Sequence, residues 1–353
     1  MKNILIVMLM LVFVSTDLTG QTTPKKVPPK NKPQTAPTKL KPKAAPSKAT
    51  PATSKTKAAP TKSRRARQSE AEVRRGPTIE ARVHTWYFGN FFQAPDDRPK
   101  ENVPALGIEG RLTHPLPLES IGQPVDAYVN LDYLQFFQSG FGGSPGLRAG
   151  ARSEGRPHFW DASAQIQKDR PAFDVGDQVD KADIARLLGE YGYRFGRDWQ
   201  FGADATLEKQ SFSAAADSDS RFSEVGGSVR YRGFGSIFSP EIGFAAGRRE
   251  VDDPTGDYRQ RDLILQVRSA PTPPLYLSAR LRHRVRNYST GNAASSNFGR
   301  DDTRDQLVLS ADRKHNATIT WNLYFAYETA DSTLGTRSFD TFLTAFGLTY
   351  RLK

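Results

Sequence analysis

The chain has 353 residues, a formal net charge of +12, a mean hydropathy of −0.58 and no cysteine. The missing cysteine excludes disulfides and a lipid-modified N-terminal Cys. The charge is lopsided. Residues 21–75 hold sixteen Lys and Arg against Glu70 and Glu72, or +14, and Lys2 and Asp17 cancel, so taking +14 from +12 leaves −2 for residues 76–353. The basic balance therefore says nothing about the larger part of the chain.

Lys2 precedes an unbroken apolar run over residues 4–14, and residues 15–20 are polar and small. That layout predicts a secretory signal peptide over residues 1–20, cut between Gly20 and Gln21. Eleven apolar residues rising 1.5 Å each are too few to cross about 30 Å of hydrocarbon. Every later apolar run is broken within a few positions, which excludes a helical inner-membrane protein. Residues 21–75 are rich in Lys, Pro, Ala and Thr, with no aromatic residue. Such a segment cannot bury enough surface to offset its ordering entropy, so it is expected to be a disordered periplasmic tail biased toward polyproline II. Its charge fits either contact with an anionic polymer such as peptidoglycan or a plain soluble spacer.

From Thr78 onward the pattern has period two. Over residues 275–286, Leu275, Leu277, Ala279, Leu281 and Val285 share one face, and Tyr276, Ser278, Arg280, Arg282, Arg284 and Arg286 share the other. Strict alternation of that length predicts a strand, because helical apolar positions recur at three and four. Trp199, Phe201, Ala203, Ala205 and Leu207 repeat the pattern, as do Ile319, Trp321, Leu323, Phe325 and Tyr327. Gly, Pro, Asn, Asp and Ser clusters separate the runs and predict turns. Short connections are expected at 196–197, 233–235, 270–274 and 315–316, and long ones near 214–220, 250–257, 289–303 and 331–338. Runs long enough to span a membrane, with connections sorted by length, predict an all-β, transmembrane, antiparallel up-and-down barrel rather than a soluble sandwich. Thirteen runs stand out, and the weaker one at 147–153 brings the count to fourteen strands, with twelve as the alternative. The stretch 115–124 is over-long for a tight turn in this scheme.

At the end of the chain Phe342, Phe346, Leu348, Tyr350 and Leu352 fall on one face. With this last strand, the stretch 78–353 resembles the bacterial outer-membrane β-barrel proteins, a porin-like superfamily. The resemblance implies that these five residues form the signal read by the barrel-assembly machinery, although Leu352 and Lys353 stand where a terminal Phe or Trp is usual. It also implies a barrel over residues 76–353 in the outer membrane, with the tail in the periplasm.

Charged faces are expected to turn inward, since a charge facing lipid at mid-depth costs about 2–4 kcal/mol. Parity then puts Arg280, Arg282, Arg284 and Arg286 in one lumen column, with Asp262, Asp305 and Asp312 as the carboxylates available to balance them. An unbalanced column would be a positive wall that favours anions. Arg248, Arg259 and Arg261 fall on the outward face at similar height. They are expected either to meet phosphate-bearing outer-leaflet lipid or to pair with Glu250, Asp252, Asp253 and Asp257. His84, His114, His158, His283 and His315 have no nucleophile at useful spacing, and metal and nucleotide motifs are absent, so no enzyme, cofactor, metal or nucleic-acid partner is expected. The reading is a pore for small hydrophilic solutes, anion-biased. The alternatives are a barrel anchoring the basic tail to the cell wall and a soluble secreted β-rich binding protein.

Overall fold

The structure is a computed structural model and describes residues 76–90, 101–116, 123–137, 140–173, 179–213, 216–235, 237–334 and 337–352; the signal segment and the basic tail lie outside the described residues. Fourteen strands follow in chain order. They are β1 (Thr78–Gly89), β2 (Val103–Leu116), β3 (Val125–Phe136), β4 (Gly143–Ser153), β5 (His158–Phe173), β6 (Val179–Phe195) and β7 (Trp199–Phe212), then β8 (Ser220–Tyr231), β9 (Ser239–Val251), β10 (Tyr258–Thr272), β11 (Leu275–Tyr288), β12 (Asp301–Lys314), β13 (Ile319–Ser332) and β14 (Phe339–Leu352). Each pairs antiparallel with its neighbours in sequence. β14 closes onto β1 in a register running from Ile79↔Leu352 to Gly89↔Phe342. Closure leaves no strand edge with unpaired backbone groups, the condition for spanning hydrocarbon with strands.

The weak run at 147–153 is β4, and the fourteen-strand reading holds. The strand starts at Gly143, ahead of the alternation, because Gly143 and Pro145 pair with Gln135 and Tyr133 and Ser144 donates its hydroxyl to the Lys168 carbonyl at 2.7 Å. Strands run from 11 to 17 residues, beyond the roughly 9–11 that a bilayer needs. The excess eats into the expected loops: β12 begins at Asp301 and β13 continues to Ser332. One expected tight turn is wrong. The β8–β9 connection covers 232–238, because the turn at 232–235 closes on itself through Gly235 N–H to the Arg232 carbonyl at 3.0 Å and does not join the strands directly. The sorting by length is thus partial. The end holding Thr78 and Leu352 has the shortest connections, at 273–274 and 196–198, and the opposite end has the longest, at 90–102 and 289–300. These are called the turn end and the loop end below.

The apolar parity faces out. Val225, Phe244, Leu131 and Ile166 are 64%, 62%, 60% and 57% exposed. A soluble β-protein would turn such residues inward, so this exterior is built for lipid. Aromatic side chains border it at both ends, with Trp199 against Tyr231 at the turn end and Tyr87 against Phe342 at the loop end. The interior is polar except toward the loop end, where Trp86, Phe88 and Leu134 pack on a buried cluster of Val103, Ala105, Phe136 and Phe141.

Side chains inside reach across intervening strands where the middle strand offers glycine. Arg170 of β5 pairs with Asp132 of β3 above Gly146 of β4, which is the register partner of Asp132. Tyr128 of β3 donates to Asp161 of β5 at 2.7 Å above Gly150. A Cβ at Gly146 would collide with the Asp132 carboxylate. Gly146→Ala should therefore destabilise the barrel by about 1–3 kcal/mol. The loss is read as a lower temperature for converting the compact, fast-migrating unheated form to the slow form on gels. A conversion temperature equal to wild type would show that Asp132 and Arg170 relax freely.

Candidate lumen site

The arginine column of β11 lies on the lumen wall, as alternation predicts. Its partners come from two other strands, β10 and β8. Arg282 donates through Nε to Asp262 Oδ2 at 2.6 Å and through Nη2 to Glu224 at 3.2 Å. Arg284 donates through Nε to the other Asp262 oxygen at 3.1 Å. The Asp262 side chain is fully buried beneath these two guanidiniums. Arg286 donates to the Gln260 side-chain carbonyl at 3.0 Å and lies 4.7 Å from the centre of the Tyr258 ring. Gln260 in turn donates to Glu224 at 2.9 Å.

Glu224 belongs to β8, so the network leaps β9. It can do so because β9 presents Gly243, Ala245 and Gly247 opposite Ile264, Asp262 and Gln260, leaving the space above β9 free of long side chains. Spacing within one strand carries no sign of this contact. The small-residue parity of β9 is the one sequence feature that could have flagged it.

Two of the three expected carboxylate partners are elsewhere. Asp305 is on the outer face, opposite His283 and bonded to it at 2.8 Å, because its register partner is an odd-numbered residue of β11. Asp312 does face inward, but it lies toward the turn end opposite Tyr276 and accepts from Asn322 at 2.6 Å. Asp262 is the partner that was correctly expected, and Glu224 and Gln260 replace the other two. Among the described residues, Arg280 has no hydrogen-bond or ion-pair partner, and Arg286 has no carboxylate within ion-pair distance.

Toward the loop end the column continues into a second cluster. Arg300 makes a two-point contact with Asp302 at 2.8 and 2.7 Å, donates to Asn297 at 2.9 Å and covers the Tyr288 ring at 4.4 Å. Arg304, register partner of Arg284, lies 3.5 Å from Glu328 and 3.9 Å from Asp302. Arg300 and Asn297 are almost completely buried, and Asn297 donates to the Thr255 carbonyl at 3.0 Å, so the long connection expected near 289–303 is held at this end while residues 291–294 stay exposed. At the turn end a cavity of about 790 Å³ is lined by Arg152, Arg194, Arg230, Arg232 and Arg268, with Asp161, Glu190 and Asp312 among them.

The other expected groups are placed as follows. Arg248, Arg259 and Arg261 are on the exterior, where Arg248 and Arg259 are direct cross-strand partners. Phe342, Phe346, Leu348, Tyr350 and Leu352 share the exterior face of β14 and are all exposed. Ser278, on the face opposite His283, shares a hydrogen bond with Ser310 at 2.8 Å. Among the described residues no group of His, Asp and Glu is arranged to hold a metal.

No protein-family model and no curated protein sequence matches the chain. Solved structures similar to it include an outer membrane channel from Pseudomonas putida F1, 11% identical with a TM-score of 0.46 over 78% of this chain and 96% of the other. A loop-deletion mutant of OmpT, an outer membrane protein of Vibrio cholerae, is 12% identical with a TM-score of 0.44 over 78% and 99%. An anion-selective porin from Comamonas acidovorans is 12% identical with a TM-score of 0.41 over the same shares. The closed strand order and the apolar exterior establish the fold without these likenesses.

Because Asp262 is buried under two arginines, its removal leaves both without a common counter-charge. Asp262→Asn should cost about 3–5 kcal/mol, while Arg280→Gln, at a side chain with no partner, should change stability by about 0.5 kcal/mol or less. Urea unfolding of the barrel in lipid vesicles, followed by Trp fluorescence, measures both. Equal midpoints for the two variants would show that Asp262 does not hold the column together.

Proposed function

We propose that the barrel is a pore of the bacterial outer membrane for small hydrophilic solutes, with a bias toward anions. The observation that carries this reading is a set of lumen arginines that, among the described residues, have no carboxylate in contact, with Arg280 and Arg286 on β11, Arg111 on β2 and Arg194 on β6 among them. A charge neutralised by a contacting carboxylate contributes little field at a distance, whereas an unbalanced one acts over about a Debye length, 8–10 Å near physiological salt. At the turn end, Arg194 and Arg232 of the cavity likewise have no carboxylate in contact among the described residues, so positive charge is offered there as well as along β11. An entering anion meets successive guanidiniums, none of which holds it in a closed cage, so binding is weak enough for release.

In this reading the turn end faces the periplasm and the loop end faces outward, following the loop-length rule for such barrels. The N-terminal segment 21–75 would then be periplasmic, available for contact with peptidoglycan, and the exterior face of β14 would be the part read by the assembly machinery.

Exchanging Arg280 and Arg286 together for Gln removes two of these charges and leaves the Asp262 pairs intact. In planar bilayers under a salt gradient, the reversal potential of R280Q/R286Q should move toward cation preference, by a few-fold in permeability ratio. The wild-type bias should shrink in about 1 M salt, where the Debye length falls to about 3 Å. A conducting wild type whose reversal potential does not respond to the double change would reduce these arginines to structural groups. A wild type that carries no current ends the pore reading in favour of an anchoring barrel.

A further inference from the structure

The outer surface of β7 to β10 near the loop end carries a cluster of basic side chains. On β1, β3, β13 and β14 the upper border of the apolar exterior is aromatic, with Tyr87, Tyr133, Tyr327 and Phe342 all exposed, and on β5/β6 and β11/β12 it carries the paired groups Lys168–Asp183 and His283–Asp305. On β7 to β10 it is basic. Lys209 pairs in register with Arg221, and Arg248 pairs with Arg259, while Arg261 stands two residues further along the same face of β10. All five are exposed.

Like charges directly opposite one another across two strands are destabilising unless something balances them. The nearby acids supply only part of that balance: of Glu250, Asp252, Asp253 and Asp257, Glu250 alone makes an ion pair with this group among the described residues, and it stands opposite Arg221 in register. Asp253 accepts the Thr255 N–H at 3.0 Å and caps the short 3-10 turn Pro254–Gly256, and Asp257 accepts the Val251 N–H at 2.7 Å. Glu250 reaches Arg248 alone, at 3.1 Å. Arg259 and Arg261 have no acidic partner among the described residues.

We propose that Arg248, Arg259 and Arg261 form a binding site for the phosphorylated headgroup of an outer-leaflet lipid. Cross-strand partners sit about 5 Å apart and residues two apart on a strand about 6.6 Å apart. Three guanidiniums at those spacings can converge on one phosphate or span two, donating in the forked geometry that matches phosphate oxygens. Immediately toward the turn end the same face offers Val225, Phe244 and Leu265, all exposed. A ligand held by its phosphate at the arginines would lay its acyl chains on these residues, which free phosphate could not do. That combination of charge above and apolar surface below assigns the site to a lipid. This inference rests on the proposed outward placement of the loop end and not on whether the lumen conducts.

The test uses the full chain, purified in non-ionic detergent and stripped of lipid. It is titrated with bisphosphorylated lipid A, with the same lipid lacking both phosphates, and with inorganic phosphate, and bound lipid is counted by native mass spectrometry. The bisphosphorylated lipid should bind at least about tenfold more tightly than the dephosphorylated form, since charge-assisted hydrogen bonds are lost with the phosphates. R248Q/R259Q/R261Q should remove that preference, and Arg259→Gln alone should weaken binding about tenfold. Migration of unheated protein on gels reports folding. If the triple variant does not fold, the single variant and the salt dependence of wild-type binding decide the matter. Equal binding of the two lipids, or unchanged binding by folded variants, would overturn the site. Displacement of the lipid by millimolar inorganic phosphate would overturn its assignment to lipid.

Discussion

The structure depends on closure of β14 onto β1. In hydrocarbon no water satisfies an unpaired N–H or C=O, so a sheet can cross only if its first and last strands find each other. The register from Ile79↔Leu352 to Gly89↔Phe342 does this over nearly the whole length of β1. Once the sheet is closed, every residue has one of two addresses, lipid or lumen. A shift of one residue in any strand would exchange the two along that strand. The apolar parity pins the register because the wrong choice would expose lumen charges to lipid and sequester apolar side chains in water.

Inside, the problem changes from burial to charge balance. The lumen wall mixes both signs, and the balance is struck between strands rather than within them. Asp262 serves Arg282 and Arg284 at once, and Glu224 reaches Arg282 across β9. That reach needs the small residues Gly243, Ala245 and Gly247 as much as it needs the charges. The glycine-spanning contacts of Arg170 with Asp132 and of Tyr128 with Asp161 follow the same rule on the other side of the barrel. Small inward residues therefore act as spacers that choose which charged groups meet. After the pairing, Arg280 and Arg286 are among the lumen arginines left without a contacting carboxylate.

The two arginine groups near the loop end share a height and differ in surroundings. Those inside are flanked by Tyr258, Tyr288, Gln260 and carboxylates, which hold them in fixed positions. Those outside border an apolar surface and have few acids to meet. The same side-chain chemistry thus serves a lumen wall on one face of β10 and β11 and a membrane-facing surface on the face of β9 and β10 turned away from it.

Period-two alternation determined from the sequence that this is a strand protein, which parity faces lipid, and which side of each strand carries the arginines, because side-chain direction in a strand depends only on odd or even position. It also pointed to fourteen strands through the weak run that became β4. Partners across the lumen were beyond it. Asp305 and Asp312 were the nearest acids by position along the following strand, yet register put one on the exterior and the other toward the opposite end. How the connection 289–300 is held was equally hidden, since Asn297 and Arg300 read as ordinary loop residues until Asp302 and Tyr288 are brought beside them. Parity is a local property that a sequence displays directly. Register and the gaps left by small residues arise only when strands far apart in the chain are aligned, so the tertiary structure alone decided which charges are paired.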